Sequence, residues 1–235
     1  KFKEGESLLK GEDSTTYLAS KIAAERIAIQ EKEIKMIFLL RQPSSRAYSN
    51  YYHMLRTGRA TYTFEDTIRY DAFSILDRSL YKQQLEYYYN FLPKERVKVI
   101  LFEEMVKDTE RVVGEVCDYL EIDYNALPKE ALTVHANKAR LPQNINMQVK
   151  KNYKLRTYGN FHYLNHLPFK PKSDTYKQSI YVKTLNKIHN RINPPVESKT
   201  PPLNPETKAF LDRYFQAELE GIDELTGMDI MSKWF

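Results

Sequence analysis

The sequence predicts an α/β protein with a parallel sheet, on the strength of two apolar runs and the helical patterns around them. Ile34 to Leu40 is nearly all apolar over the length of a strand, and Val97 to Phe102 repeats that composition. Such runs suit parallel strands covered on both faces. Helical stretches lie before, between and after them, so strands and helices alternate along the chain.

Taken in order, the opening segment to Lys10 has no clear periodicity. Thr15 or Thr16 is placed to cap a helix to about Gln30, with Leu18, Ile22 and Ile29 as its apolar stripe. The first strand runs into Arg41, Pro43 stops it, and Ser44 or Ser45 can cap a helix from Ser44 to about Thr57. On that helix Ala47, Tyr51, Met54 and Leu55 share one side, and Ser49, Tyr52, His53 and Arg56 cluster on the other. Gly58 is well placed to end it. From Thr61 to Arg78 the pattern is mixed. A tyrosine-rich helix from about Leu80 to Asn90 stops before Pro93, and the second strand follows. Asp108 then caps an amphipathic helix to Leu120, whose stripe of Val112, Val113, Val116, Cys117 and Leu120 faces a core. Beyond Leu127 regular periodicity fades until about Tyr176, the pattern of a long functional loop. A short helix around Ser179 to Arg191 gives way to Pro194-Pro195 and Pro201-Pro202, which force an extended connection. Asn204 and Pro205 form a capped helix start, and the closing helix sends Phe210, Leu211, Tyr214, Phe215 and Leu219 toward the core.

A chain of 235 residues with 42% hydrophobic content buries one substantial core, so residues 1–235 read as a single domain. No apolar run approaches a bilayer-spanning length and no signal-peptide pattern opens the chain, which predicts a soluble, cytoplasmic protein. The lone Cys117 excludes an internal disulfide. Formal net charge is +5, with acidic and basic residues interspersed and no sustained basic tract. That balance favours a small anionic ligand over nucleic acid as partner. Metal binding is not expected: His162 and His166 can share a helix face, but no cysteine or carboxylate cluster completes a ligand set. No nucleophile-elbow sequence supports a Ser-His-Asp arrangement. Tyr87, Tyr88 and Tyr89 are expected to divide between core and surface.

Arg41 and Ser49 carry the chemistry. Arg41 sits at the carboxyl end of the first strand, where ligands collect in open α/β sheets, and Ser49 faces away from the core side of the next helix. A guanidinium offers forked, charge-assisted hydrogen bonds and a hydroxyl adds one more, a combination suited to a phosphate monoester.

Ile37 to His53 closely resembles the 3′-phosphate-binding motif of sulfotransferases that use 3′-phosphoadenosine 5′-phosphosulfate (PAPS): a strand, then Arg-Asn-Pro, then Arg-Ala-x-Ser-x-Tyr. Three further segments agree in order and spacing. Gly11 to Leu18 is similar to the family's Gly-Glu-x-Ser/Thr-Pro-x-Tyr turn, with Asp13 at a position where some carbohydrate-acting relatives carry lysine and Thr15 in place of the proline. Ser79, Tyr81, Gln84 and Leu85, followed by Phe91 to Pro93 and the strand ending in Glu103-Glu104, resemble its Tyr-x-x-Gln-Leu block. Glu206 to Trp234 resembles its closing helix and terminal tryptophan.

This resemblance, which covers nearly everything from Gly11 to Trp234, implies a three-layer α/β/α fold with a central parallel sheet, related to the P-loop nucleotide kinases. It implies PAPS as sulfuryl donor and adenosine 3′,5′-bisphosphate (PAP) as product. The acceptor would be a hydroxyl or amine on a carbohydrate, a lipid-like or other small molecule, a polypeptide tyrosine, or an acyl chain tethered to a carrier protein. Arg41 and Ser49 would hold the donor's 3′-phosphate, and Tyr81 would line the nucleotide site. Arg140, within the Asn137-to-Pro142 segment that resembles a late Asn/Arg/Pro loop, would lie near cofactor or acceptor. Transfer also needs a cation at the leaving phosphate and a general base. The family's Lys-x-Gly-Thr-Thr type loop has no counterpart in this sequence and is expected upstream of Lys1, with the first strand. The catalytic base is unassigned, His53 and Glu12 being the nearest candidates. The alternative is a non-catalytic nucleotide-binding module of the same fold; a P-loop phosphotransferase is disfavoured by the absence of a Walker sequence.

Overall fold

Ser20, and not Thr15 or Thr16, begins the first helix. Its hydroxyl accepts from Ala23 N at 3.3 Å, so α1 spans only Lys21–Ala28. Of the expected stripe Ile22 and Ile29 are exposed, and Ala24 is the helix's buried residue. The computed structural model describes residues 9–128, 132, 140–155 and 180–235. After α1 the chain forms β1 (Met36–Leu40), α2 (Pro43–Arg56), α3 (Phe64–Asp71), α4 (Phe73–Leu76), α5 (Tyr81–Tyr89) and β2 (Val97–Leu101). It continues through α6 (Phe102–Lys107), α7 (Thr109–Leu120), β3 (Arg140–Pro142), α8 (Ile145–Leu155), α9 (Ile180–Ile192) and β4 (Pro195–Glu197). The last helices are α10 (Pro205–Glu218), α11 (Ile222–Thr226) and α12 (Met231–Trp234). The expected α/β class holds. His162, His166 and residues 137–139 lie outside the described residues.

Contacts gather the chain into two compact units. The first comprises Lys1–Leu40, Leu80–Tyr124 and Glu218–Phe235. In it β1 and β2 pair in parallel, Met36 opposite Val97 through Leu40 opposite Leu101. Met36, Phe38 and Leu40 are buried, but Ile37 and Leu39 are 36% and 47% exposed, so the expected cover on both faces is found on one. Phe38 meets Tyr88 edge-on at 4.7 Å, and the buried Tyr88 hydroxyl donates to Tyr17 O at 2.7 Å. Burial pushes that phenol up to about 12. Tyr87 and Tyr89 are half-buried, so the tyrosine triplet divides as expected. Asp108 caps α7 through Arg111 N, and Cys117 is buried on its core stripe. At the chain's end Trp234 packs on Tyr81, ring centroids 5.8 Å apart, and donates its indole N–H to Glu103.

The second unit comprises Arg41–Ser79 and Asn125–Ala217. Its centre is α2, whose Ala47, Tyr51, Met54 and Leu55 are buried as expected. Tyr52, expected on the solvent side, is also buried, because its ring lodges edge-on between Tyr48 and Tyr51. Gly58 follows the helix with φ +83°, a left-handed conformation that glycine adopts without strain. The stretch after Leu127, expected to lack periodicity, contains α8. The side chains α8 buries are Gln148 and Asn152, so no apolar stripe announces it. Asn152 donates to Leu55 O at 2.9 Å and Ala60 O at 2.8 Å, and Gln148 to Leu55 O at 3.2 Å. Leu55 O, in the last turn of α2, also accepts from Gly58 N at 3.3 Å, so the amides add to its bonding, and Ala60 O, beyond the helix, receives its donor from Asn152. The Pro194-Pro195 segment is extended as expected and pairs antiparallel with β3. On α10, Leu211 and Phe215 are buried, whereas Phe210 is half exposed, contrary to its expected core position.

His189 completes the polar cluster, with Nε2 2.8 Å from Gln148 Oε1 and 3.3 Å from Asn193 Nδ2. Burial, with the nearby Lys151 ammonium, holds its pKa below the ordinary imidazole value. As pH falls through about 6.5 the unfolded chain therefore takes up a proton before the folded one does. The stability this group supports is complete above that pH and is lost as pH drops toward the folded value. Thermal scans are expected to show the melting temperature falling between about pH 7 and 5.5, and His189→Gln to flatten that fall.

Candidate functional site

Proline at position 43 decides how α2 starts. Pro43 occupies the first helical position, where its missing N–H costs nothing, so the residue before it becomes the cap. That residue is Gln42, not Ser44 or Ser45 as expected: its side-chain oxygen accepts from Ser45 N at 2.7 Å. Ser44 is fully buried and donates instead to Asp212 Oδ1 at 2.6 Å. Ser45, Tyr48 and Ser49 then recur at the spacing that places side chains on one helical face.

That face forms one wall of an open cleft of about 370 Å³, to which Arg41 also contributes. The volume falls in the range of roughly 300–1,000 Å³ typical of small-molecule sites. The other wall comes from Thr200, Pro201 and Leu203 in the proline-rich extension and from Lys208 on α10. The extension is held there in part by the Tyr48 hydroxyl, 3.5 Å from Pro202 O. Asn204 caps α10 through Glu206 N and Thr207 N, which fixes where Lys208 emerges. Two cationic side chains and several hydroxyls thus face one recess, an arrangement that suits an oxyanion such as phosphate.

Lys208 is ion-paired with Asp212, whose other oxygen accepts from Ser44 and from Gln42 Nε2 at 2.9 Å. Burial alone would raise the Asp212 carboxyl, but hydrogen bonds from Lys208, Ser44 and Gln42 outweigh it and hold the pKa below the usual carboxylate range. Asp212 is therefore ionised at neutral pH.

The sequence-derived residues divide clearly. Arg41 and Ser49 line the same cleft. Arg140 belongs to the same unit but opens β3 opposite Glu197 and does not line the cleft. Tyr81 belongs to the first unit and is only 2% exposed, its ring against Trp234. Of the two candidate bases, Glu12 accepts from the Tyr17 hydroxyl at 2.5 Å in the first unit. His53 is exposed on α2, and partial burial with the charges of Arg59, Arg56 and Arg78 lowers its pKa, leaving a neutral imidazole able to accept a proton. Among the described residues no group of three or more histidines, cysteines or carboxylates is placed to hold a metal ion. Among the lining residues that sequence reasoning missed are Ser45, Tyr48, Thr200, Leu203 and Lys208. Ser45 and Tyr48 were signalled by their helical spacing from Ser49; Thr200, Leu203 and Lys208 carried no local signal.

Comparison with known proteins places the chain. The sulfotransferase domain model matches residues 20–223, most of its length. The chain belongs to the sulfotransferase domain family. Among relatives, it is 36% identical over 58 residues to the membrane-associated sulfotransferase kil1 of Dictyostelium discoideum, a match covering 25% of this chain and 12% of that protein. It is 26% identical over 117 residues to human heparan sulfate glucosamine 3-O-sulfotransferase 3B1, covering 46% of this chain and 30% of that one. The sulfotransferase structure from Alicyclobacillus acidocaldarius shares the fold over 94% of this chain and 65% of its own, with a TM-score of 0.58 and 20% identity. This sulfotransferase-family chain thus matches less than a third of the length of these sequence relatives and about two thirds of the structural neighbour. Among its described residues no helix is long and apolar enough to cross a membrane.

Proposed function

We propose that the cleft binds the 3′-phosphate of 3′-phosphoadenosine 5′-phosphosulfate and that the chain serves sulfuryl transfer from this donor to a hydroxyl or amine acceptor. The observation that carries the reading is the convergence of Arg41 and Ser49 on one recess. A ribose 3′-phosphate is a compact dianion that ends a larger nucleotide. A forked guanidinium with hydroxyls from Ser45 and Ser49 can bind its oxygens in a fixed orientation, and the open side leaves room for the rest of the molecule. Held this way, the donor would present its sulfuryl group at the opposite end, where transfer needs an in-line acceptor oxygen or nitrogen. Among acceptors a carbohydrate hydroxyl is favoured, since a matched relative is a heparan sulfate glucosamine 3-O-sulfotransferase.

Calorimetric titration tests the reading. Adenosine 3′,5′-bisphosphate is expected to bind at least about tenfold more tightly than adenosine 5′-phosphate, because charge-assisted contacts to an anion contribute roughly 1.5 to 3 kcal/mol each. Equal affinities would overturn it.

A further inference from the structure

Asp212 is an odd neighbour for an anion site. Its carboxylate is ionised, pairs with a side chain that lines the cleft, and would by charge alone repel a phosphate. Nor does its pairing serve the helix that carries it. Lys208 lies in the opening turns of α10 with Asp212 one turn later, so positive precedes negative along the axis. That order opposes the helix dipole and is the weaker orientation for an i,i+4 pair.

What the carboxylate does well is connect. One oxygen accepts from Gln42 Nε2 at 2.9 Å and Ser44 Oγ at 2.6 Å, and the other pairs with Lys208. Gln42 is 8% exposed and Ser44 not at all, so both are locked donors. Gln42 in turn caps Ser45 N at 2.7 Å, at the start of the helical face that supplies Ser45 and Ser49. Through two oxygens Asp212 therefore fixes a cation on one wall of the cleft and the first turn of the helix that forms the other.

We infer that Asp212 is a positioning residue of the anion cleft, orienting Lys208 as a second cation beside Arg41 and holding the opening turn of α2 in register with it. This rests on the phosphate-binding reading above. The bisphosphate draws the Lys208 ammonium partly away from the carboxylate, and the hydrogen bonds from Gln42 and Ser44 keep Asp212 in place while that happens.

The sign of one substitution tests the idea. Asp212→Asn removes a negative charge beside the cleft, so a purely electrostatic role predicts tighter binding of adenosine 3′,5′-bisphosphate. A positioning role predicts binding weaker by about tenfold, with adenosine 5′-phosphate little changed, since a misplaced charge-assisted contact loses most of its value. Tighter or unaltered bisphosphate binding by a variant that melts like the parent overturns the inference. Should Asp212→Asn fail to fold, the exposed Lys208 decides: Lys208→Met is expected to lower the bisphosphate preference and Lys208→Arg to retain it, and a Lys208→Met variant that binds like the parent overturns the proposal. Arg41→Ala run alongside separates the two levels. If it leaves the preference intact, the cleft reading itself is wrong; if it abolishes the preference while Asp212→Asn tightens binding, only the role of Asp212 is lost.

Discussion

Arg41→Ala is expected to weaken binding of adenosine 3′,5′-bisphosphate by roughly 10- to 100-fold while leaving adenosine 5′-phosphate within about twofold of the parent. The contrast follows from where the side chain is. Arg41 leaves the chain one residue after β1 and one before the cap of α2, and it lines the cleft with Ser45 and Ser49. A guanidinium in such a place can meet an anion that enters the cleft with forked, charge-assisted hydrogen bonds. Arg41→Lys is expected to recover only part of the loss, because an ammonium supplies charge without the fork. Paired titrations of the three proteins against both nucleotides check this, and a uniform loss against both would show that Arg41 shapes the unit and does not select the phosphate.

Asn152→Ala is the substitution expected to cost most stability among the polar residues, about 2 to 4 kcal/mol in urea unfolding. Asn152 is 1% exposed and its amide nitrogen donates to both Leu55 O and Ala60 O. Alanine takes from Ala60 O the donor that Asn152 supplies, leaves Leu55 O to Gln148 Nε2 and Gly58 N, and removes one of the acceptors of Gln148 Nε2. Asn152→Asp is expected to be worse, since it sets a carboxylate against two carbonyl oxygens with nowhere to place its charge. The midpoint of unfolding should fall with the slope retained; a midpoint within the error of the parent would mean that α8 does not brace the end of α2.

What the sequence made legible follows the physics each segment obeys. β1 and β2 were readable because their apolar runs have no other use, and α7 because Asp108 caps it and Val112 with Val116 and Val113 with Cys117 repeat at helical spacing, whereas the short β3 and β4 have no apolar run and were not read as strands. α3 was passed over although Thr63 caps it through Asp66 N and Glu65 and Asp66 fill its first turn, a signal present but weak beside a mixed apolar pattern. α8 was hidden by having amides on its buried face, where hydropathy looks for leucine. Within the site, Arg41 and Ser49 are local features, separated by two turns of one helix and its cap. Lys208 and Asp212 reach the same place from the far end of the chain, and only folding brings them there. The preference of serine for caps misled at Ser44, because a neighbouring proline and a distant carboxylate made better use of the same residues.

The terminal indole has a practical corollary. Trp234 is the chain's single tryptophan, buried in the first unit, in contact with a tyrosine and hydrogen-bonded to a carboxylate. Its fluorescence is thus a built-in optical gauge of whether the carboxyl-terminal segment is docked. Emission should shift to the red when that segment peels away, giving a spectroscopic handle on the first unit that needs no label and no ligand.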